Sequence, residues 1–391
     1  PSTTKPADTR SFYSGVNNRP PQTIGELQNL CERVGIDLLD VLREAWLEPN
    51  VTKQAVLLIG FPVPTLVDGP PVQIHWQPLY FPTADADARN RAGKQRRVKE
   101  MWGEHTNSSG RFGPRRRLGW AKSANIAPDT LFVRGGVDAR LRRRRVALFG
   151  CGAIGSHVAE LLVRGGVETL DLFDPDSLEF GNLSRHTLSG REVSFPKSGA
   201  LALRLQAINP CAGISAHGTA VPFDSRDTSA EQRAMDSAEL LVDCTTSDAA
   251  FEWLDAFATG KSKQLLMLFI DFRAHLLTLC ISGAGGGCGD VFRRLRNDIR
   301  AGVTSIDSEQ YFYQPTKEEL IRDGPGCWHP TFPAAGMHIM MLVATAVDIA
   351  TSHLSNRAES GLGVVVRRRD PLSSASTTAP AVEIAWQKEY N

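Results

Sequence analysis

The chain has 391 residues, 42% of them apolar, which is enough for two domains that each bury a core. Its 44 Lys and Arg balance 43 Asp and Glu to a formal net charge of +1, so no global field draws it to nucleic acid or to an anionic membrane. The 7 cysteines are scattered and never spaced CxxC, which argues against a disulfide framework, for a reducing compartment, and against a structural zinc site.

Residues 1–22 are rich in Pro, Ser, Thr and Asn and read as a flexible tail. It starts at Pro1 rather than Met, as in a processed chain or a piece of a longer one. No basic-then-apolar leader opens the chain, and the longest apolar stretch, Met337 to Val347, stops at Asp348, short of a membrane span. A soluble, cytoplasmic protein with no membrane and no nucleic-acid partner is expected. The runs Arg115 to Arg117, Arg142 to Arg145 and Arg367 to Arg369 read as solvated surface or strand-edge charge.

From Ile24, IGELQNLCERVGIDLLDVLREAWL spaces apolar residues at helical intervals, and QAVLLIGFPVP and PVQIHWQPLYFP read as strands punctuated by Pro and Gly. With the polar, glycine-punctuated connection TADADARNRAGKQRRVKEMWGEHTNSSGRFGPRRR, read as mobile, they make an N-terminal α+β accessory domain over 23–130. After RRRVALFG the pattern becomes strand, glycine turn, helix SHVAELLVRGG, strand TLDLFDPD, helix KSGALALRLQAINP and strand GISAHGTAV. Then follow helix-like DTSAEQRAMDSA, strand ELLVDCT, helix DAAFEWLDAFATG, and strands QLLMLFIDF and HLLTLCISG. Such alternation predicts an α/β fold, a Rossmann-like doubly wound and mostly parallel sheet over 131–365, with a C-terminal strand or tail over 366–391. Ligands bind such sheets beyond the carboxyl ends of the strands.

Gly150, Gly152 and Gly155 form G-x-G-x-x-G between a strand and a helix. The first two let the backbone turn tightly and approach a diphosphate, and the third lets helix and strand pack closely, while the helix N-terminus offers N–H groups and positive dipole to phosphates. Asp174 closes the second strand 19 residues after Gly155, where an acidic side chain takes the ribose hydroxyls. To this point NAD and ATP fit equally.

The next stretch separates them. LDLFDPDSLEFGNLSRHTL puts Asp174, Asp176, Asn182 and Arg185 together, and Lys197 opens the following helix. Hydride transfer has no use for two cations and an amide beside the phosphates. Nucleotidyl transfer does, because charge builds on the α-phosphate and on departing pyrophosphate.

The ordered set GCGAIG, DPD, GNLSRH, PKSGA, INP and VDCT resembles the adenylation domain of the ubiquitin-activating superfamily, which includes MoeB and ThiF. With LLIGFPVP, RHTL and a late GCWHPTF, it resembles more narrowly the bacterial activating enzymes of ubiquitin-like conjugation and CBASS-type antiphage operons, some of which are fused to a conjugating domain. The resemblance implies that Asp174 binds ribose, that Asn182 and Arg185 contact phosphates and metal, and that Lys197 holds the α-phosphate region. Arg134 stands where an arginine reaches across a homodimer to the γ-phosphate. It further implies ATP and Mg²⁺, a ubiquitin-like or other protein substrate activated at its C-terminus, and a conjugating enzyme as partner. The tail would thread under the crossover segment Gly283 to Gln314. The family run D-C-T-D-N here reads Asp243-Cys244-Thr245-Thr246-Ser247-Asp248, so Thr246 replaces a metal-binding carboxylate. Asp248, Asp243, or water and phosphate then complete the metal shell, with helix capping the other role open to Asp248.

Thioester transfer needs an exposed, activated thiol. Cys327, in RDGPGCWHPTFPAAG with His329 two residues on, is the first candidate, and packing beneath Trp328 its alternative; Cys288 in GAGGGCGD is second. Cys151, Cys244 and Cys280 read as space-filling, and His186 as a hydrogen-bonder. Three rival readings remain: a MoeB- or ThiF-type sulfur-carrier adenylyltransferase without thioester relay, a nicotinamide oxidoreductase, and a non-catalytic scaffold.

Overall fold

The computed structural model of the protein describes residues 21–47, 54–64, 70–82, 102–108, 110–124, 126–132, 134–223, 229–283, 286–316, 318–319, 321–322, 330–331, 333–356, 359–369 and 381–390. The chain divides into two compact units, Pro1–Ile126 and Ala127–Asn391.

In the first unit the predicted helical run becomes two helices, because Gly35 turns the chain with φ +74° between them. Helix α1 (Ile24–Glu32) starts at Thr23, whose side chain accepts the N–H of Glu26, and α2 (Leu38–Leu47) follows. Strand β1 (Gln54–Pro64) pairs antiparallel with β2 (Pro71–Pro82), which pairs with the short β3 (Gly119–Trp120). Leu27, Leu38, Leu42, Leu79 and Phe112 form the core.

Phe112 lies in the stretch expected to be a mobile connection. Residues 83–101 and 109 of that stretch fall outside the described residues, but the described remainder is part of the unit. Phe112 is 2% exposed, and its ring centroid lies 5.2 Å from that of Trp102. The N–H groups of Ile24 and Gly25 donate to the carbonyls of Arg116 and Pro114, both at 2.9 Å. Pro21 and Gln22, assigned to the tail, are pinned too, since the Pro21 carbonyl accepts the indole N–H of Trp120 at 2.8 Å and that of Gln22 accepts Leu118 N–H. Backbone hydrogen bonds order a segment whose composition is that of a loop.

In the second unit, β4 (Arg145–Phe149), α3 (Gly155–Arg164), β5 (Thr169–Phe173), α4 (Lys197–Ile208) and β6 (Gly213–His217) come first. Next are α5 (Ser229–Ser237), β7 (Leu240–Asp243), α6 (Asp248–Gly260), β8 (Gln264–Ile270) and β9 (Leu276–Ile281). Helix α7 (Cys288–Arg300), helix α8 (Gly336–Asn356), β10 (Gly361–Arg368) and β11 (Val382–Tyr390) complete it. The strands form one eight-stranded sheet in the order β11-β10-β9-β8-β7-β4-β5-β6. From β8 to β6 neighbours are parallel, and from β8 to β11 they are antiparallel.

Alternate residues of β4 serve opposite faces, as the strand period requires. Val146 and Leu148 pack with α3, α4 and α8, whereas Ala147 and Phe149 pack with α5, α6 and α7. The doubly wound expectation therefore holds. Chain direction reverses at β9, where the Asp271 carboxylate accepts the N–H groups of His275 and Leu276 and closes a hairpin. The expected boundary between 365 and 366 cuts through β10, which pairs with β9 over Leu362 to Arg367.

Two expectations about charge and apolarity change. Arg142 is 9% exposed, packed where any Cβ on Gly166 would meet its Cδ, so the run Arg142 to Arg145 is not wholly solvated. Helix α8 continues past Asp348 to 21 residues and by length and composition is apolar enough to cross a membrane. Half of its most apolar window is buried, with Ile339, Leu342, Val343 and Ala346 against α3 and the sheet, as in a core helix.

Candidate active site

The parallel strand order reverses direction around β4, with β5 on one side and β7 on the other, and the glycine turn leaves β4 at that point. Gly150 has φ +83°, and a Cβ there would lie 2.8 Å from the Cys244 carbonyl oxygen. A Cβ on Gly155 would stand 1.8 Å from the Gly150 oxygen, whereas one on Gly152 would meet nothing within 4 Å. Two glycines are thus demanded by the fold, and Gly152 faces open space. Helix α3 has no side-chain cap at its N-terminus, so its first N–H groups point to that space without one.

Cys151 is held from both sides. Its N–H donates to Asp174 Oδ2 at 2.6 Å, and its carbonyl accepts His186 Nε2 at 2.6 Å. Leu188 N–H donates to His186 Nδ1 at 3.0 Å, which puts the ring proton on Nε2. Burial pushes the His186 pKa down to about 4, so the ring is a neutral strut at pH 7. Asp174 also accepts the N–H of Asp176 at 2.8 Å and is 5% exposed; burial raises its pKa against the lowering effect of both hydrogen bonds. The aspartate expected on ribose is therefore also the clamp of the turn.

Asp176 continues the loop and forms an ion pair of 3.0 Å with Lys197 at the first position of α4. The lysine side chain is 12% exposed and the aspartate 66%, so the ammonium is held from inside the site while its partner reaches toward solvent. Asn182 ends a single 3-10 turn, Phe180–Asn182, and its Oδ1 accepts the N–H of Glu179 at 3.0 Å. Arg185 is 9% exposed, with Nη2 3.5 Å from the Gly181 carbonyl. Its own carbonyl lies 3.2 Å from His157 Nε2, and Gly336 packs so closely that a Cβ would be 2.2 Å from the Ser184 oxygen. The sequence reading assigned no role to His157 or Gly336; their signal was a histidine two residues past the glycine turn and a glycine opening a long apolar helix. Gly150, Gly152, Gly155, Asp174, Asp176, Asn182, Arg185 and Lys197 thus gather beyond the carboxyl ends of β4 and β5.

Arg134 does not join them. It is exposed, and Gly135 beside it abuts the Arg164 carbonyl at the far end of α3, about 15 Å of helix from the glycine turn. Asp248 is the exposed first residue of α6, and the N-cap is Ser247, whose hydroxyl accepts the N–H of Ala250, so the capping role offered to Asp248 belongs to its neighbour. Asp243 is 2% exposed, and its Oδ1 accepts both the N–H and the hydroxyl of Thr245, at 2.9 and 2.7 Å. Among the described residues no three His, Cys, Asp or Glu side chains cluster as a ready metal site.

A cavity of about 450 Å³ opens where Asp248, Phe251 and the end of β8 face Arg296 of α7 and the segment Gln310 to Pro315. The crossover segment Gly283 to Gln314 is mostly not a strap over the site. Cys288, Val291, Leu295 and Ile299 bury one face of α7 in the core, while Phe292, Arg296 and the segment's end from Gln310 border the cavity. This also removes Cys288 as a thioester candidate. It is 0% exposed, its Sγ lies 3.4 Å from the Cys280 carbonyl, and burial drives its thiol far above the ordinary range. Cys151, Cys244 and Cys280 are buried and likewise pushed up. Cys327 and His329 lie outside the described residues.

The ThiF family matches residues 124–323, and the Cap2 central linker domain matches residues 17–126. An ATP-dependent ubiquitin transferase-like protein Cap2 from Enterobacter hormaechei subsp. hoffmannii is 28% identical over 335 residues, covering 83% of this chain and 52% of the relative. Ubiquitin-like modifier-activating enzyme 5 of Bombyx mori is 30% identical over 132 residues, 32% of this chain and 34% of that one. A crystal structure of E. coli MccB with succinimide is similar over 64% of each chain, at 14% identity and a TM-score of 0.41. The chain spans about half the length of the Cap2 relative.

Proposed function

The chain belongs to the ThiF family, and on that premise we propose that it is an ATP-dependent enzyme that adenylates the C-terminal carboxylate of a protein substrate. The observation that carries this reading is a glycine turn clamped by Asp174, with the Asp176–Lys197 ion pair on the loop that follows and Arg185 next to His186, which holds the same turn. A carboxylate oxygen attacks the α-phosphorus of ATP, the bond to the bridging oxygen breaks, and pyrophosphate leaves; no proton has to be removed from the nucleophile. The N–H groups of the glycine turn receive phosphate oxygens, and Asp174 takes the ribose. Lys197 and Arg185 stabilise the charge that grows on the α-phosphate and the leaving group, with Asn182 as a polar contact beside them. The exposed carboxylate of Asp248, on the β7 side of the turn, suits Mg²⁺, which keeps several waters and needs one or two protein oxygens. When bound there, the ion would shield phosphate charge.

The Cys327 thiolate attacks the acyl-adenylate carbonyl, AMP leaves, and the thioester passes to a conjugating enzyme. The substrate is a ubiquitin-like or other protein of a bacterial conjugation or antiphage system, the setting is cytoplasmic, and Arg134 acts across a homodimer. The naming of relatives as ubiquitin transferase-like and ubiquitin-like modifier-activating supports this line. A second reading is adenylation with no relay, which the burial of Cys151, Cys244, Cys280 and Cys288 supports by taking four of the seven thiols away from an incoming acyl group.

The test is ATP–pyrophosphate exchange with small proteins encoded beside this one. Lys197→Ala and Arg185→Ala should each lower exchange by roughly 10²–10³-fold. Tight NADH binding with no exchange overturns adenylation, and full exchange in both variants removes Lys197 and Arg185 from its machinery. A reductant-sensitive adduct by intact mass that disappears in Cys327→Ala supports the relay, and its absence beside normal exchange selects the second reading.

A further inference from the structure

Arg296 lines the cavity at the end of β8 and is half-buried. Its guanidinium carbon sits 5.3 Å from the Phe292 ring centroid and 5.2 Å from that of Phe312, and Arg300 covers the same Phe312 ring at 4.6 Å. Among the described residues neither arginine forms an ion pair. Two cations four residues apart on one helix repel each other, and although Asp243, Asp248 and Asp271 also line the cavity, none of them forms an ion pair with Arg296, so this half-buried cation is incompletely compensated. Contact with the ring faces leaves guanidinium N–H groups to donate, and a planar guanidinium matches a carboxylate with two parallel hydrogen bonds.

The cavity lies at the same sheet end as the nucleotide cradle and adjoins it: Asp248 lines the cavity, whereas the glycine turn, Asp174, Arg185 and Lys197 do not. Strand β8 is two strands from β4, about 10 Å at ordinary strand spacing, or about three residues of extended peptide. Phosphates held at the glycine turn are therefore displaced from Arg296, whereas a peptide with its terminal carboxylate at the α-phosphate spans the gap. We propose that the cavity receives the C-terminal tail of the protein substrate and that Arg296 is a specificity residue, pairing with an acidic side chain about three residues before the tail's end. This rests on the adenylation reading for its direction, though not for its chemistry: an unpaired planar cation among aromatic rings selects a carboxylate in either case.

Fluorescein-labelled peptides with Glu, Gln or Lys at each of the four positions before the terminal residue, titrated by anisotropy, test this. With the wild-type chain, Glu at one position should bind roughly tenfold to a hundredfold tighter than Gln there. Arg296→Ala should erase that difference, Arg296→Lys should keep part of it, and Arg296→Glu should turn the preference toward Lys, an outcome that a misfolded variant cannot produce. Equal binding of Glu and Gln at all four positions, or a Glu preference that survives in Arg296→Ala, overturns the proposal. Pyrophosphate exchange with the same peptides separates the two readings, since Arg296-dependent Glu binding with no exchange leaves this inference standing and removes adenylation.

Discussion

Asp174 Oδ2 accepts the N–H of Cys151 at 2.6 Å, so the carboxylate that ends the second parallel strand holds the glycine turn that follows the first. Its other oxygen holds Asp176 N–H at 2.8 Å. In Asp174→Asn one amide oxygen replaces two carboxylate oxygens, and an NH₂ group is turned toward a buried N–H donor. Unfolding in urea should show a loss of about 1–3 kcal/mol, and calorimetry should show weaker ATP binding. Unchanged stability in that variant would show that the clamp contributes nothing.

Gly152 and Gly155 separate binding from folding. Gly155→Ala drives a methyl to 1.8 Å from the Gly150 oxygen, so the turn must break and soluble yield or melting temperature should fall sharply. Gly152→Ala meets no atom within 4 Å and should melt like the wild type, while its methyl occupies the space a phosphate needs. The expected result is at least tenfold weaker ATP binding with an unchanged melt. If both variants melt alike, the steric reading fails.

His186 gives stability a pH dependence whose sign is set by its depressed pKa, about 4 in the folded chain against 6.5 for the free side chain. Between those values the unfolded chain binds a proton that the folded chain refuses, so stability is full above about pH 6.5 and is lost as pH falls toward 4. The loss amounts to as much as about 3 kcal/mol. His157 is shifted in the same direction, whereas Asp174 and Asp243, with raised pKa, act in the opposite sense. The difference between wild type and His186→Gln isolates the one group: urea unfolding of the variant should vary less across that window, and parallel curves would contradict the strut.

Burial also orders the cysteines. Alkylation of the native protein should modify exposed Cys211 while sparing Cys151, Cys244, Cys280 and Cys288, which should react only after unfolding, as peptide mapping reads directly. Early labelling of Cys288 would contradict its position in the core at the start of α7.

The nucleotide cradle was legible in the residues because its parts are local in sequence. A strand followed by G-x-G-x-x-G and a helix can build one kind of turn, and Asp174, Asn182, Arg185 and Lys197 fall on one loop and one helix start, so order and spacing suffice to bring them together. Parallel strands with helical crossovers followed from the alternation of periods for the same reason. Composition failed where long-range contacts decide: Phe112 is core although its neighbours are polar, because backbone hydrogen bonds from α1 order that segment. The fate of Cys288 was equally out of reach, since a glycine-rich stretch reads as exposed loop until α7 closes over β9. The second hydrogen bond on Cys151, from His186 across 35 residues, and the facing of Arg296 with the end of β8 arise from packing between distant elements. Such contacts leave no period in the chain. Sequence alone determined which groups gather at the glycine turn, because they lie close in the chain; tertiary structure decided which of them are held by hydrogen bonds or ion pairs, and what else faces the same end of the sheet.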